Sequence, residues 1–161
     1  MVVNEDGTIY HVPTKVVEIN GKYYAQINSL TNSSYTLIWN PVIFTDVSSQ
    51  GYRDIINNMG ARLIISGVGN DLFEPDRDIT RAEFIAIVIR ALGLNPESLD
   101  NPFEDVNDSD WYCKYLSIAY EYKIIFGYGN GKFNPMDKIS REEAFTIIAR
   151  AMKITGSKIE F

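Results

Sequence analysis

Arg81 and Arg141 occupy matching places in two short motifs, Thr80-Arg-Ala-Glu83 and Ser140-Arg-Glu-Glu143. Each motif reads as a helix start. The hydroxyl of Thr80 can accept from the amide of Glu83 while Glu83 reaches back to Thr80, and Ser140 with Glu143 repeats the device. A cation in the first turn is mildly unfavourable against the helix macrodipole. Each arginine is therefore expected to have a partner away from its own helix, either a neighbouring carboxylate or an anionic ligand. Capping by itself accounts for Glu83 and Glu143. Trp111, next to Asp110, opens another helix and has two readings, core packing and a stacking surface. Two glycine-rich loops, Gly67-Val-Gly-Asn-Asp-Leu-Phe73 and Gly127-Tyr-Gly-Asn-Gly-Lys-Phe133, supply tight turns and close backbone approach.

Other chemistries fit poorly. His11 is the only histidine and Cys113 the only cysteine, which weakens any zinc site or Ser-His pair and leaves no disulfide framework or CxxC motif. Cys113 reads as a small apolar residue on a helix. The acidic run from Asp105 to Asp110 fails as a calcium loop, because Asp110 stands where a glycine is needed and Leu116 where a bidentate Glu is needed. Neither glycine loop ends in Gly-Lys-Ser/Thr, so phosphate cradling is not expected. Asp46 and Asp105 read as caps of the turns that follow them. No acid–base pair or nucleophile stands out, so the chain is not expected to be an enzyme, nor to need a metal or cofactor.

These residues recur because the chain is duplicated. Shifted by 60 positions, residues 64–92 meet 124–152 with 13 identities in 29 places, among them Gly67 with Gly127, Phe73 with Phe133, Arg81 with Arg141 and Arg90 with Arg150. Upstream, Phe44, Asp46 and Val47 match Phe103, Asp105 and Val106 at a shift of 59, so repeat one has lost one residue between Val47 and its first helix. Each unit reads as helix, loop, helix, over 44–93 and 103–155. The first helices carry the stripes Tyr52, Ile55, Ile56, Met59 and Trp111, Tyr115, Ala119, Tyr122. The second carry Phe84, Ile87, Val88, Ala91 and Ala144, Ile147, Ile148, Ala151, with Gly93 and Gly156 as plausible ends.

Residues 1–40 differ. Two β-prone runs, Val16–Ile19 and Tyr23–Ile27, flank Asn20-Gly21, a strong hairpin signal. Residues 35–39 read as a third strand, closed by Asn40-Pro41. Few strands make a poor independent domain. This segment is expected to be the tail of a preceding β domain, packed on the helical repeats or paired with another copy through its edges. The fold class that follows is mainly α, with tandem helix-loop-helix repeats and a small N-terminal antiparallel β segment.

Bulk properties agree. With 45% hydrophobic residues the 161-residue chain can bury a core, and a net charge of −6 argues against nucleic acid as partner. No apolar run approaches the roughly 20 residues that span a bilayer, so membrane insertion is not expected. The start lacks a basic and then apolar leader, so the chain is expected to be a piece of something longer.

The ordered pieces Phe-Thr-Asp-Val (44–47), Ile-Ile-Ser-Gly (64–67), Phe-Glu-Pro-Asp (73–76) and Ile-Thr-Arg-Ala-Glu-Phe (79–84) resemble an S-layer homology (SLH) domain. A second set does so too: Phe-Glu-Asp-Val (103–106), Asp110-Trp111, Gly-Tyr-Gly-Asn-Gly-Lys-Phe (127–133) and Ile-Ser-Arg-Glu-Glu-Ala (139–144). That resemblance implies a non-catalytic anchor outside the bacterial cell. Its partner would be secondary cell-wall polysaccharide on peptidoglycan, often bearing pyruvylated amino sugars, held in grooves between adjacent repeats. The family usually carries three repeats. Its groove residues imply carbohydrate contacts for Arg81, Asp110, Trp111, Ser66, Gly67, Gly127 and Arg141.

This chain departs from the pattern. Gly51 stands where repeat two has Trp111, Ser140 and Phe126 replace the commoner Thr and Ser, and Arg141 would face a missing neighbour. The expected groove thus joins Arg81 and the Ser66-Gly67 loop to Asp110-Trp111. A guanidinium can grip a ketal carboxylate with two parallel hydrogen bonds, and an indole can stack on a sugar face. The alternative is an interaction module that self-assembles, forming a homo-oligomer through exposed repeat or strand edges.

Overall fold

In a computed structural model, residues 1–29, 33–47, 51–95 and 100–156 are described. The one-residue difference after Val47 falls at positions 48–50, outside them. Two compact units emerge, one of Met1–Arg77 with Arg90–Gly93, the other of Asp78–Ile89 with Leu94–Phe161.

The first unit begins with β1 (Val2–Val3), β2 (Ile9–Tyr10), β3 (Thr14–Ile19), β4 (Lys22–Ile27) and β5 (Ser34–Tyr35). An antiparallel sheet of order β2-β1-β5 stands beside the β3-β4 hairpin. The hairpin turns at Asn20-Gly21, whose φ angles of 53° and 74° are what a two-residue primed turn requires. The expected strand over 35–39 is shorter than its β-propensity suggests. Pairing stops after Thr36 N–H donates to Met1 O, and Leu37 and Trp39 are each 93% exposed. Propensity alone does not hold a strand once its neighbour's ladder has ended. β1 and β2, two residues each, carry no pattern that periodicity could reveal.

A 3-10 turn (Thr45–Val47) and helix α1 (Arg53–Ala61) complete this unit. Phe44, Val47 and Ile56 form one buried cluster of this unit, with Phe73 tilted against Phe44 at 5.5 Å. The β segment packs on the helices: Asn40 Nδ2 donates to Ala61 O, and a Cβ at Gly93 would lie 2.6 Å from Pro13 Cδ. Gly93, at φ 66°, terminates α2.

The second unit holds the start of α2 (Arg81–Leu92), α3 (Cys113–Glu121) and α4 (Arg141–Ile154). Both capping boxes form. Thr80 N–H and Ser140 N–H donate to their glutamates at 2.8 and 2.9 Å, and the glutamate amides donate back at 3.2 Å.

The core stripes are rotated from those expected. On α2 the buried face is Ala82, Ile85, Ala86 and Ile89, with Phe84, Ile87, Val88 and Ala91 only half-buried. The run Phe84–Leu92 is apolar all round, Arg90 aside, so periodicity does not select a face. On α3 the buried line runs Tyr112, Leu116, Ala119, one residue away from Trp111 and Tyr115, and Cys113 is buried with it. On α1 only Ile56 of the predicted stripe is buried, while Ile55 is 62% exposed. On α4 Ile147 and Ala151 face inward and Ile148 does not.

Asp46 and Asp105 act at long range. The carboxylate of Asp46 accepts from the amides of Phe73 and Glu74, and that of Asp105 from Phe133 and Asn134 at 2.9 and 2.7 Å. The hydrogen bond from Phe73 holds the Asp46 carboxyl below the usual range. Each Asp thus fastens the far end of its glycine loop to the turn that starts its repeat. Glu74 and Asn134, the residues so held, share a left-handed φ of 56° and 54°.

Candidate functional site

Helix α2 delivers Arg81 into the second unit. The amides of Arg81 and Ala82 donate to Asp137 O and Pro135 O, each at 2.9 Å, and Ile139 N–H donates to Ile79 O. This short antiparallel junction puts the side chain of Arg81, only 6% exposed, against the glycine loop of repeat two. Its Nε–H donates to Phe133 O at 3.0 Å, and its guanidinium lies over the rings of Phe133 and Tyr128 at 4.4 and 4.8 Å.

The arginine's anionic partner is Glu143. Oε1 of Glu143 pairs with Arg81 Nη1 and accepts from the Tyr128 hydroxyl at 3.2 Å, leaving Oε2 for the Ser140 cap. Burial pushes this carboxyl up, but the Ser140 amide, the charge of Arg81 and the two side-chain hydrogen bonds outweigh it and hold Glu143 low. Burial raises the Tyr128 hydroxyl, against the opposing charge of Arg81. Capping therefore accounts for only half of what Glu143 does, and the expected non-local partner of Arg81 is found.

These residues line a cleft of about 240 Å³ with Gly127, Phe126, Thr146 and Arg150. Gly127 has no alternative in its place, because a Cβ there would sit 2.6 Å from Lys132 O and 3.1 Å from Phe103 Cε1. Arg150 donates to Ile124 O at 3.2 Å and lies over the Phe126 ring at 4.9 Å. Unlike Arg81, it has no ion-pair partner among the described residues. The carboxylate of Glu142 lines the same cleft.

Of the residues singled out from sequence, Arg81 and Gly127 come together here. Asp110 and Trp111 do not line this cleft. Asp110 accepts from Asn107 N–H at 2.8 Å in the turn before α3, and Trp111 is 55% exposed, edge-on to Tyr112 and Tyr115. Ser66 and Gly67 lie in the first unit, where Ser66 accepts from Arg90 Nη1 at 2.8 Å and Gly67 packs on Phe44 as Gly127 does on Phe103. Arg141 is exposed at the start of α4. Sequence reasoning missed Glu143, Tyr128, Phe126 and Arg150 as neighbours. The match of Arg90 with Arg150 was the available signal for the last.

Comparison with known proteins agrees with this architecture. The family model of the S-layer homology domain matches residues 43–85 and 102–145, more than half of the chain. The chain belongs to the S-layer homology domain family. It is similar to an exoglucanase XynX of Acetivibrio thermocellus, 33% identical over 80% of this chain and 12% of that protein. A surface layer protein of Brevibacillus choshinensis is 28% identical over 78% of this chain and 12% of its own length. A cellulosome-anchoring protein of Acetivibrio thermocellus is 32% identical over 74% of this chain and 28% of its own. The chain thus spans a small part of these relatives. In the exoglucanase the similar stretch is a minor share of the enzyme. No helix among the described residues is long and apolar enough to cross a membrane.

Proposed function

We propose that this chain is a non-catalytic module that holds its parent protein on the outer surface of a bacterial cell by binding cell-wall polysaccharide. The cleft beside Arg81 carries this reading. It offers two guanidinium groups, aromatic rings at Phe126 and Tyr128, and a backbone laid open at Gly127. An acidic sugar suits that set. A carboxylate, such as a pyruvate ketal on an amino sugar, meets the Arg150 guanidinium, which forms no ion pair among the described residues, and apolar sugar faces meet the rings. Arg81, neutralised by Glu143, adds directed donors and holds the Tyr128 ring. The chain's net charge of −6 means that attraction for an anionic polymer arises locally.

The exposed indole of Trp111, beside Asp110, serves in this reading as a second stacking surface along the polymer. Ser66 and Gly67 take in repeat one the place of Phe126 and Gly127. A surface-anchoring role also fits the relatives named for the surface layer and for cellulosome anchoring.

The test is co-sedimentation with purified wall sacculi before and after acid release of ketal groups. Wild type should bind the native sacculi and lose binding on treatment, and Arg150→Gln should weaken binding by about 2 kcal/mol. Equal retention of wild type and variant on both sacculi preparations refutes the assignment.

A further inference from the structure

Two asparagines of the chain, Asn20 and Asn130, are followed by glycine. Such a pair is chemically labile, because the glycine's backbone nitrogen reaches the preceding side-chain amide with no Cβ in the way. The two pairs sit in different surroundings. Asn20 and Gly21 form the turn of the β3-β4 hairpin, where both φ angles are left-handed and the Ile19–Lys22 pair closes the ladder behind them. A Cβ on Gly21 would meet nothing within 4 Å, so no group stands on that side of the peptide.

The pair in the glycine loop of repeat two is built differently. Asn130 Oδ1 accepts from Lys132 N–H at 3.2 Å, which folds the side-chain amide along the Gly131 peptide and polarises its carbonyl. Gly131 N–H donates to no acceptor among the described residues, so that nitrogen is not held in a hydrogen bond. Glu104 N–H donates to Gly131 O at 2.9 Å, and Oε1 of Glu104 lies 3.1 Å from where a Cβ on Gly131 would stand. Nucleophile, electrophile and base thus meet at one exposed peptide. Repeat one lacks the arrangement. Asn70-Asp71 take the corresponding places, both with left-handed φ, and Thr45 stands where repeat two has Glu104.

We propose that Asn130 is a site of self-modification, at which the chain converts this asparagine to aspartate and isoaspartate with Glu104 as the base. Glu104 takes the proton from Gly131 N, that nitrogen bonds to Cγ of Asn130, and the Cγ–Nδ2 bond breaks. Ammonia leaves with the proton returned to it, and a cyclic imide remains. Water then adds to either imide carbonyl, so that opening on one side gives aspartate and on the other isoaspartate. Both products add a negative charge to the loop. The isoaspartyl form also carries the main chain through Cβ, lengthening a loop that Tyr128 N–H closes on Lys132 O at 3.0 Å. Tyr128 supplies a ring beneath Arg81 and a hydroxyl on Glu143, so the change reaches the cleft. This chemistry is independent of polysaccharide binding.

Peptide mapping by mass spectrometry, during incubation of the folded 161-residue chain in mildly alkaline buffer at physiological temperature, follows both pairs in one molecule. Asn130 should convert at least about tenfold faster than Asn20, and the ratio should fall towards unity in urea, where the surroundings are lost. Glu104→Gln, at an exposed position, should slow Asn130 by at least about threefold and leave Asn20 unchanged. In the isoaspartyl form, isolated by ion exchange, hydrogen exchange of the Tyr128 amide should quicken. An Asn20 that converts as fast as Asn130 in the folded chain, a ratio unaltered by urea, or a Glu104→Gln variant that converts Asn130 at the wild-type rate overturns the proposal. Unchanged exchange at Tyr128 overturns its reach to the cleft.

Discussion

Glu143→Gln separates two tasks that one carboxylate performs. Glutamine keeps the shape and can still accept from the Ser140 amide, so the cap is largely retained. What disappears is the negative charge facing Arg81, whose side chain is 7% exposed. Breaking a fully buried pair by removing one partner costs about 3–5 kcal/mol. The Glu143 side chain, however, is 32% exposed, so water screens the pair and replaces part of what is lost. The Phe133 carbonyl and the Tyr128 and Phe133 rings also remain to support the guanidinium. The expected loss is about 1–2 kcal/mol at neutral pH.

The assay is urea unfolding followed by the fluorescence of Trp111 in a Trp39→Phe background, which confines the signal to the second unit. The pH dependence identifies the charge as the cause. Because the folded carboxyl lies below its ordinary value of 4.5, its stabilisation is complete above that value and is lost as pH falls through the folded one. Wild type and variant should therefore converge in acid. A difference under about 0.5 kcal/mol at neutral pH, or one that persists unchanged in acid, would refute the charge-pair reasoning.

Two further perturbations test the frame around the site. Gly127→Ala drives a methyl to 2.6 Å from Lys132 O and should cost about 2–3 kcal/mol in denaturant midpoints, whereas Gly129→Ala meets open space and should cost about 1 kcal/mol for its left-handed φ of 81° alone. Equal losses would deny the close approach of Gly127 to the loop. His11 is 7% exposed, and burial, followed by the charge of Arg62 and the N-terminus, depresses its pKa below 6.5. The unfolded chain then binds a proton that the folded chain refuses, so stability is unaffected above about 6.5 and declines as pH falls from there towards the folded value. The melting temperature of wild type should drop across that window and that of His11→Gln should not; parallel curves would contradict the sign.

The sequence by itself determined what depends on short range. The duplication, both capping boxes, the Asn20-Gly21 turn and the glycine at the end of α2 are consequences of local hydrogen bonding and backbone freedom, and each is legible within a few residues. The family followed from the order of such pieces. Wherever two segments far apart in the chain must agree, the tertiary structure decided. Which face of α2 is buried depends on what packs against it, because nearly every position from Phe84 to Leu92 is apolar. That Asp105 fastens Phe133, or that Glu143 serves Arg81 across 62 residues, follows from chain crossings that no periodicity encodes. The candidate site shows the same division. Arg81 and Gly127 were visible as residue types with unusual demands, but their meeting required α2, which begins in repeat one by sequence, to bury its start against repeat two.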